Sequence, residues 1–175
     1  FIRATFDSLP EQICVLDENY KIISTNLSWQ RFAKQNGHPQ DDFTGVNYLS
    51  VCRSTTEDTS KYAEQFADGL AAVMQGKTAE FSLEYPCDSS TEKRWFIARV
   101  IAFPGEGPRR LVVSHTNITQ LKVSEEAIRE SELRFRSLIE HGLDNISLIA
   151  PDGSLLWENP AAVHMLGYSY DQFKG

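Results

Sequence analysis

The chain has 175 residues, 41% of them hydrophobic and 23% charged, with a formal net charge of -7. That length leaves room for one domain or two small ones and excludes a large enzyme; the composition is that of a folded globular protein. The negative balance argues against nucleic acid or anionic lipid as a direct partner, because holding phosphates depends on a basic surface that releases counterions.

No apolar run approaches the roughly 20 residues that cross a bilayer, and FIRATFDSLPEQ at the start has no signal-peptide character. The expectation is a cytoplasmic segment without membrane contact. Cys14, Cys52 and Cys87 lie far apart, with neither CxxC spacing nor a histidine placed to complete a zinc site. They read as small buried thiols, and no metal is expected.

The first element, ICVLDENYKIISTN from Ile13 to Asn26, reads as a β-hairpin turning at Asp17-Glu18-Asn19. Its closing Asn suits a helix N-cap. LSWQRFAKQNG then sets Trp29, Phe32 and Ala33 on one helical face and ends at Gly37. Turn residues and short helical pieces continue to about Glu57. From Asp58 to Gln75, Tyr62, Phe66, Gly69, Leu70 and Val73 recur at threes and fours, the mark of an amphipathic helix closed by Gly76.

Beyond it the period becomes two. Phe81, Leu83 and Tyr85 alternate with Glu80, Ser82 and Glu84, and Arg94 to Phe103 and Arg110 to Thr116 are rich in β-formers. The middle run is apolar on both faces, Trp95, Ile97 and Ile101 against Phe96, Val100 and Ala102. Its outer face should therefore be covered, by Phe1, Ile2 and Phe6 or by a partner subunit.

Thr119 to His141 lacks Pro and Gly and sets Leu121, Ile128 and Phe135 seven residues apart, with Leu138 and Ile139 closing the stripe. That spacing is a coiled-coil seam, weakened by Ser124 and Ser131 at the alternate positions. A parallel homodimer through this helix and the outer sheet face is expected. ISLIAPDGSLLWEN, Ile146 to Asn159, then repeats the first hairpin: Ile13, Val15, Ile22, Ile23 and Asn26 meet Ile146, Leu148, Leu155, Leu156 and Asn159, each 133 positions on. Its turn is Pro151-Asp152-Gly153, and Pro160 follows at the first helical position. A repeat at this spacing implies tandem domains.

The hairpin ending in Asn, the helical middle with Gly45-Val46-Asn47-Tyr48-Leu49, the EYPC and RWF strands, and SHTNIT before a helix together resemble the PAS family. SEEAIRESELRFRSLIEHG looks like the helix joining consecutive PAS domains in histidine kinases and diguanylate cyclases. The resemblance implies an α+β PAS fold, a five-stranded antiparallel sheet with helices on one face, followed by a long linker helix and a truncated second PAS domain. The corresponding boundaries are 1–118, 119–141 and 142–175. Asn117 stands where the family usually has Asp, and an Asn still serves as a cap.

In the family the space between helices and sheet holds a ligand. Here the residues facing it should be Trp29 and Phe32 from the first helix, Tyr48 and Cys52 from the middle, Phe66 and Leu70 from the long helix, and Phe81, Leu83 and Phe96 from the strands. Glu84, Tyr85 and Arg94 are the polar groups placed to orient a small molecule, and the competing reading is a filled core. His115, Asn117, Ile118 and Thr119 would relay the signal to the linker, with His115 able to report protonation near neutral pH. Flavin-binding relatives carry a cysteine where Tyr48 stands, with Cys52 about one helical turn away, and haem-binding relatives use a histidine from the long helix, which has none. Neither cofactor is expected. His38, His141 and His164 lie in no nucleophilic spacing, so the segment should not be an enzyme. Two functions stand: a signal-input module, its output domain a histidine kinase or a diguanylate cyclase, and a ligand-free dimerising scaffold.

Overall fold

The computed structural model describes every residue except 39, 41, 54–59, 89–91, 106 and 168–175. It divides into two units, Phe1–Gln120 and Leu121–Gly175.

In the first unit the period-two segments become β1 (Gln12–Leu16), β2 (Ile22–Thr25), β3 (Glu80–Pro86), β4 (Trp95–Ala102) and β5 (Leu111–Asn117). They form one antiparallel sheet in the order β2-β1-β5-β4-β3, so the first hairpin closes against the last strand. Alternation decides the faces. Cys14, Leu16, Ala98, Val100, Leu111 and Val113 are buried on the inner face. There they meet α2 (Leu27–Gln35), α3 (Tyr48–Arg53) and α4 (Ser60–Met74), which contribute Ala33, Tyr48, Phe66, Leu70 and Val73 to the same core. Gly69 is required where α4 crosses β3, because a side chain there would run into the Phe81 ring.

The outer face is covered less than the sequence suggests. The first helix, α1 (Ile2–Ser8), buries none of its residues, Phe1 and Ile2 remain exposed, and only Phe6 of the three expected cover residues is half-buried. The helix has two turns and is held by polar contacts instead: Arg3 Nη2 donates to the Thr25 carbonyl at 3.1 Å, Asp7 Oδ1 accepts from Leu27 N at 3.2 Å, and Asn26 Nδ2 donates to the Phe6 and Leu9 carbonyls at 3.4 Å. Ile101 and Phe103 stay exposed on this face.

The second unit carries most of α5 (Thr119–His141), the hairpin β6 (Ser147–Ile149) with β7 (Leu155–Glu158), and α6 (Pro160–Leu166). Its two strands form their own antiparallel pair. Two strands alone cannot bury a face, and Leu148, Ile149, Leu156 and Trp157 are exposed. Along α5 the stripe Leu121, Ile128, Phe135 and Leu138 is exposed as well.

The repeat is exact in its hydrogen bonds. Asn26 Oδ1 accepts from Ile13 N at 3.0 Å while Asn26 Nδ2 donates to the Glu11 carbonyl at 2.8 Å. Asn159 Oδ1 accepts from Ile146 N at 3.0 Å while its Nδ2 donates to the Asp144 carbonyl at 2.9 Å. Each Asn also reaches the helix ahead of its hairpin, Asn26 at Phe6 and Asn159 at Ile139. Both are fully buried. Each therefore joins the two ends of a hairpin to the preceding helix, a larger role than capping, although Asn26 does cap α2 through Trp29 N at 3.0 Å.

Candidate functional site

The site is assembled by a loop that runs along the exposed edge of β2. Gly45 adopts a left-handed backbone, φ 85°, which lets its N–H reach the Ile22 carbonyl at 2.8 Å while Ile22 N donates to the Val46 carbonyl at 2.9 Å. Asn47 then caps α3, its Oδ1 accepting from Ser50 N at 3.0 Å. Tyr48 N donates to the Tyr20 carbonyl at 2.9 Å, which fixes the first residue of α3 over the sheet.

The Tyr48 hydroxyl bonds His115 Nε2 at 2.7 Å, and the Tyr85 hydroxyl bonds His115 Nδ1 at 2.7 Å. His115 is on β5 and Tyr85 on β3, with β4 between them. Ala98 of β4 pairs with His115 on one side and Leu83 on the other, and its small side chain leaves room for the two rings to meet above it. Trp29, Phe66 and Tyr85 bring their rings within 5.8–6.0 Å of the imidazole. Desolvation in this aromatic surround lowers the His115 pKa to about 4. The imidazole is therefore neutral at neutral pH, and the expectation that it reports protonation there is corrected. The strand directs its ring among Trp29, Tyr48, Phe66 and Tyr85.

The three residues form the shared wall of two cavity lobes. One, of about 520 Å³, is lined by Trp29, Phe32, Ala33, Phe43 and Val46 together with the polar Gln12 and Arg94. The other, of about 370 Å³, is lined by Cys52, Phe66 and Leu83. Arg94 is held at the first lobe by donating Nε–H to the Cys87 carbonyl at 3.0 Å and Nη2–H to Asn36 Oδ1 at 2.9 Å, with its guanidinium over the Phe32 ring. The Gln12 Oε1 atom is buried without a hydrogen-bond partner among the described residues.

Of the residues expected at a ligand site, Trp29, Phe32, Tyr48, Cys52, Phe66 and Leu83 line the cavity. Leu70 and Phe96 are packed out of reach in the core, and Phe81 stacks against Phe66 beside Gly69. Tyr85 and Arg94 face the cavity, whereas Glu84 alternates to the outside and is exposed. Sequence reasoning missed Gln12, Phe43 and Val46. The signal for Gln12 was present, since positions 12, 14 and 16 share the inner face and only the first is polar.

The thiols are not all buried as expected: Cys14 is, but Cys52 and Cys87 are half-buried because they border the cavity. Burial pushes Cys52 up to about 11 and raises the other two. All three stay protonated and weakly nucleophilic. At the strand end, Thr119 Oγ1 accepts from Trp95 N at 3.0 Å, Ile118 N donates to the Trp95 carbonyl at 2.9 Å, and Asn117 Oδ1 accepts from Thr119 N at 2.9 Å. The neutral Asn thus caps the start of α5, one residue after β5 ends. Among the described residues, no helix is long and apolar enough to cross a membrane.

A family described as "PAS fold" matches residues 6–123, and a second, described as "PAS domain", matches residues 133–175. The chain belongs to the PAS family. A Rhodobacter capsulatus relative, an uncharacterized 104.1 kDa protein in the hypE 3' region, is 38% identical over 134 residues, covering 74% of this chain and 14% of its own length. The chain thus spans about one seventh of that relative. Among solved structures, the PAS domain of Bordetella pertussis BvgS matches with TM-score 0.51 at 15% identity, over 75% of this chain and 96% of that one. The phage VqmA-DPO complex matches with TM-score 0.51 at 16% identity, over 99% of this chain and 74% of that one. At such identities the likeness concerns the fold. The PAS domain is a sensory domain, and the five-stranded sheet with its helices is that fold here.

Proposed function

We propose that this chain is the cytoplasmic signal-input part of a larger signalling protein, in which residues 1–118 form the sensing PAS domain, 119–141 the linker helix and 142–175 the start of a second PAS domain. A small molecule enters the cavity bordered by Trp29, Phe32, Tyr48, Cys52, Phe66 and Leu83. Its presence changes the packing of α3 and β3 against β5, and His115, Asn117, Ile118 and Thr119 pass the change to α5. The output domain is a histidine kinase, the alternative being a diguanylate cyclase. Neither reading gives this segment catalysis of its own.

The observation that carries the reading is the 520 Å³ cavity with polar groups set in an aromatic wall. A scaffold without a ligand would be expected to fill such a space, since protein interiors pack to crystal-like density, and ligand sites combine apolar walls with a few placed polar groups. The bare stripe on α5 supports a homodimer.

Native mass spectrometry of the chain purified from its own cells tests this. The expected result is a bound small molecule that leaves on unfolding. A clean protein mass at dimer stoichiometry would favour the scaffold instead.

A further inference from the structure

The proton count of the cavity wall specifies more than apolar volume. His115 lies between two hydroxyls, so Tyr48, His115 and Tyr85 form one chain of contacts. With a neutral imidazole, these three groups carry three exchangeable protons for two contacts. One proton is therefore left over, and it sits at one end of the chain. If Nε2 carries the imidazole proton, it donates to Tyr48 O, Tyr85 donates to Nδ1, and the surplus proton is the Tyr48 hydroxyl's. If Nδ1 carries it, it donates to Tyr85 O, Tyr48 donates to Nε2, and the surplus proton is the Tyr85 hydroxyl's. The second arrangement offers the cavity the Tyr85 O–H as a donor; the first turns it onto Nδ1.

Gln12 supplies the complementary group. Its backbone pairs with that of His115 across β1 and β5, so both side chains rise from the same face of the sheet. Its buried Oε1 has no partner among the described residues, and a buried acceptor left unpaired costs free energy that a ligand donor would recover.

We propose that the cavity takes a small, uncharged, apolar-bodied molecule carrying a hydrogen-bond donor beside an acceptor, as in an amide: the donor goes to Gln12 Oε1 and the acceptor receives the Tyr85 hydroxyl proton. Binding selects the second proton order along Tyr85, His115 and Tyr48, with the imidazole proton on Nδ1. No charge moves and no bond other than hydrogen bonds changes. The ligand state is thereby written on β5, two residues before Asn117. This deepens the sensing role proposed above and rests on it.

The test uses three molecules of nearly one shape: benzamide, with donor and acceptor; acetophenone, with the acceptor alone; and cumene, with neither. Each is titrated into the chain labelled with ¹⁵N histidine, and the His115 ring nitrogens are read directly. Benzamide and acetophenone are expected to drive the proton to Nδ1, and cumene to leave it in place. Tyr85→Phe should weaken the first two by about tenfold and spare cumene, and Gln12→Leu should weaken benzamide alone by about tenfold. If all three bind with unmoved ring nitrogens, the proton-order inference is overturned while the ligand cavity stands. If none binds, the cavity reading falls with it. The ring-nitrogen measurement needs no variant, so a misfolded Tyr85→Phe chain would not remove the test.

Discussion

His115 shows how one half-buried ring, walled by aromatic side chains, can set a pH limit. Its folded pKa of about 4 lies below the ordinary imidazole value of 6.5, with desolvation as the cause. Over that interval the unfolded chain binds a proton that the folded chain refuses, so stability increases with pH there. The contribution is complete above about pH 6.5, and about 3 kcal/mol is lost by the time acid reaches pH 4. Urea unfolding measured from pH 8 down to pH 4 should show this fall, and His115→Phe should flatten it even if it lowers stability throughout. A profile unchanged by the substitution would mean that the imidazole is solvated. The sequence places His115 on the last strand, but it cannot reveal the hydroxyls at its two nitrogens. Those come from positions 48 and 85, on two other elements brought together only by tertiary packing.

At the level of elements, strands and helices were legible because their periods are: alternation gives β3 and β4, and threes and fours give α4. The order of strands was less so, since pairing the first hairpin with the last strand depends on closure of the whole sheet. The passage from β5 into α5 was legible as a cap and illegible as a joint. Nothing in the spacing shows that Thr119 would accept from Trp95 N on the neighbouring strand. Thr119→Val keeps the shape and removes that acceptor, leaving a half-buried N–H unpaired at a cost of about 1–2 kcal/mol. Hydrogen exchange should register the loss as reduced protection at Trp95 and at the first turn of α5, with β1 and β2 unchanged. Unaltered exchange at Trp95 would show that water replaces the hydroxyl without penalty.

For the whole molecule, the heptad stripe of α5 is exposed together with the rest of the helix, Ile128 62% and Phe135 64%. The polar Ser124 and Ser131 limit what pairing along it contributes. Sedimentation should therefore find a weak, concentration-dependent dimer, and Ile128→Ser with Phe135→Ser should move the chain to monomer without altering its sheet. A dimer that survives both changes would have to be built on the outer sheet face, where the N-terminal helix covers less than composition suggested. Asn159 carries a consequence for α5 as well. The last carbonyls of a helix have no intrahelical donor, and near the end of α5 Asn159 Nδ2 donates to the Ile139 carbonyl at 3.0 Å. The residue that closes the second hairpin thus supplies a donor that the final turn of α5 lacks, so unravelling that turn would cost the hairpin's own closing residue a hydrogen bond.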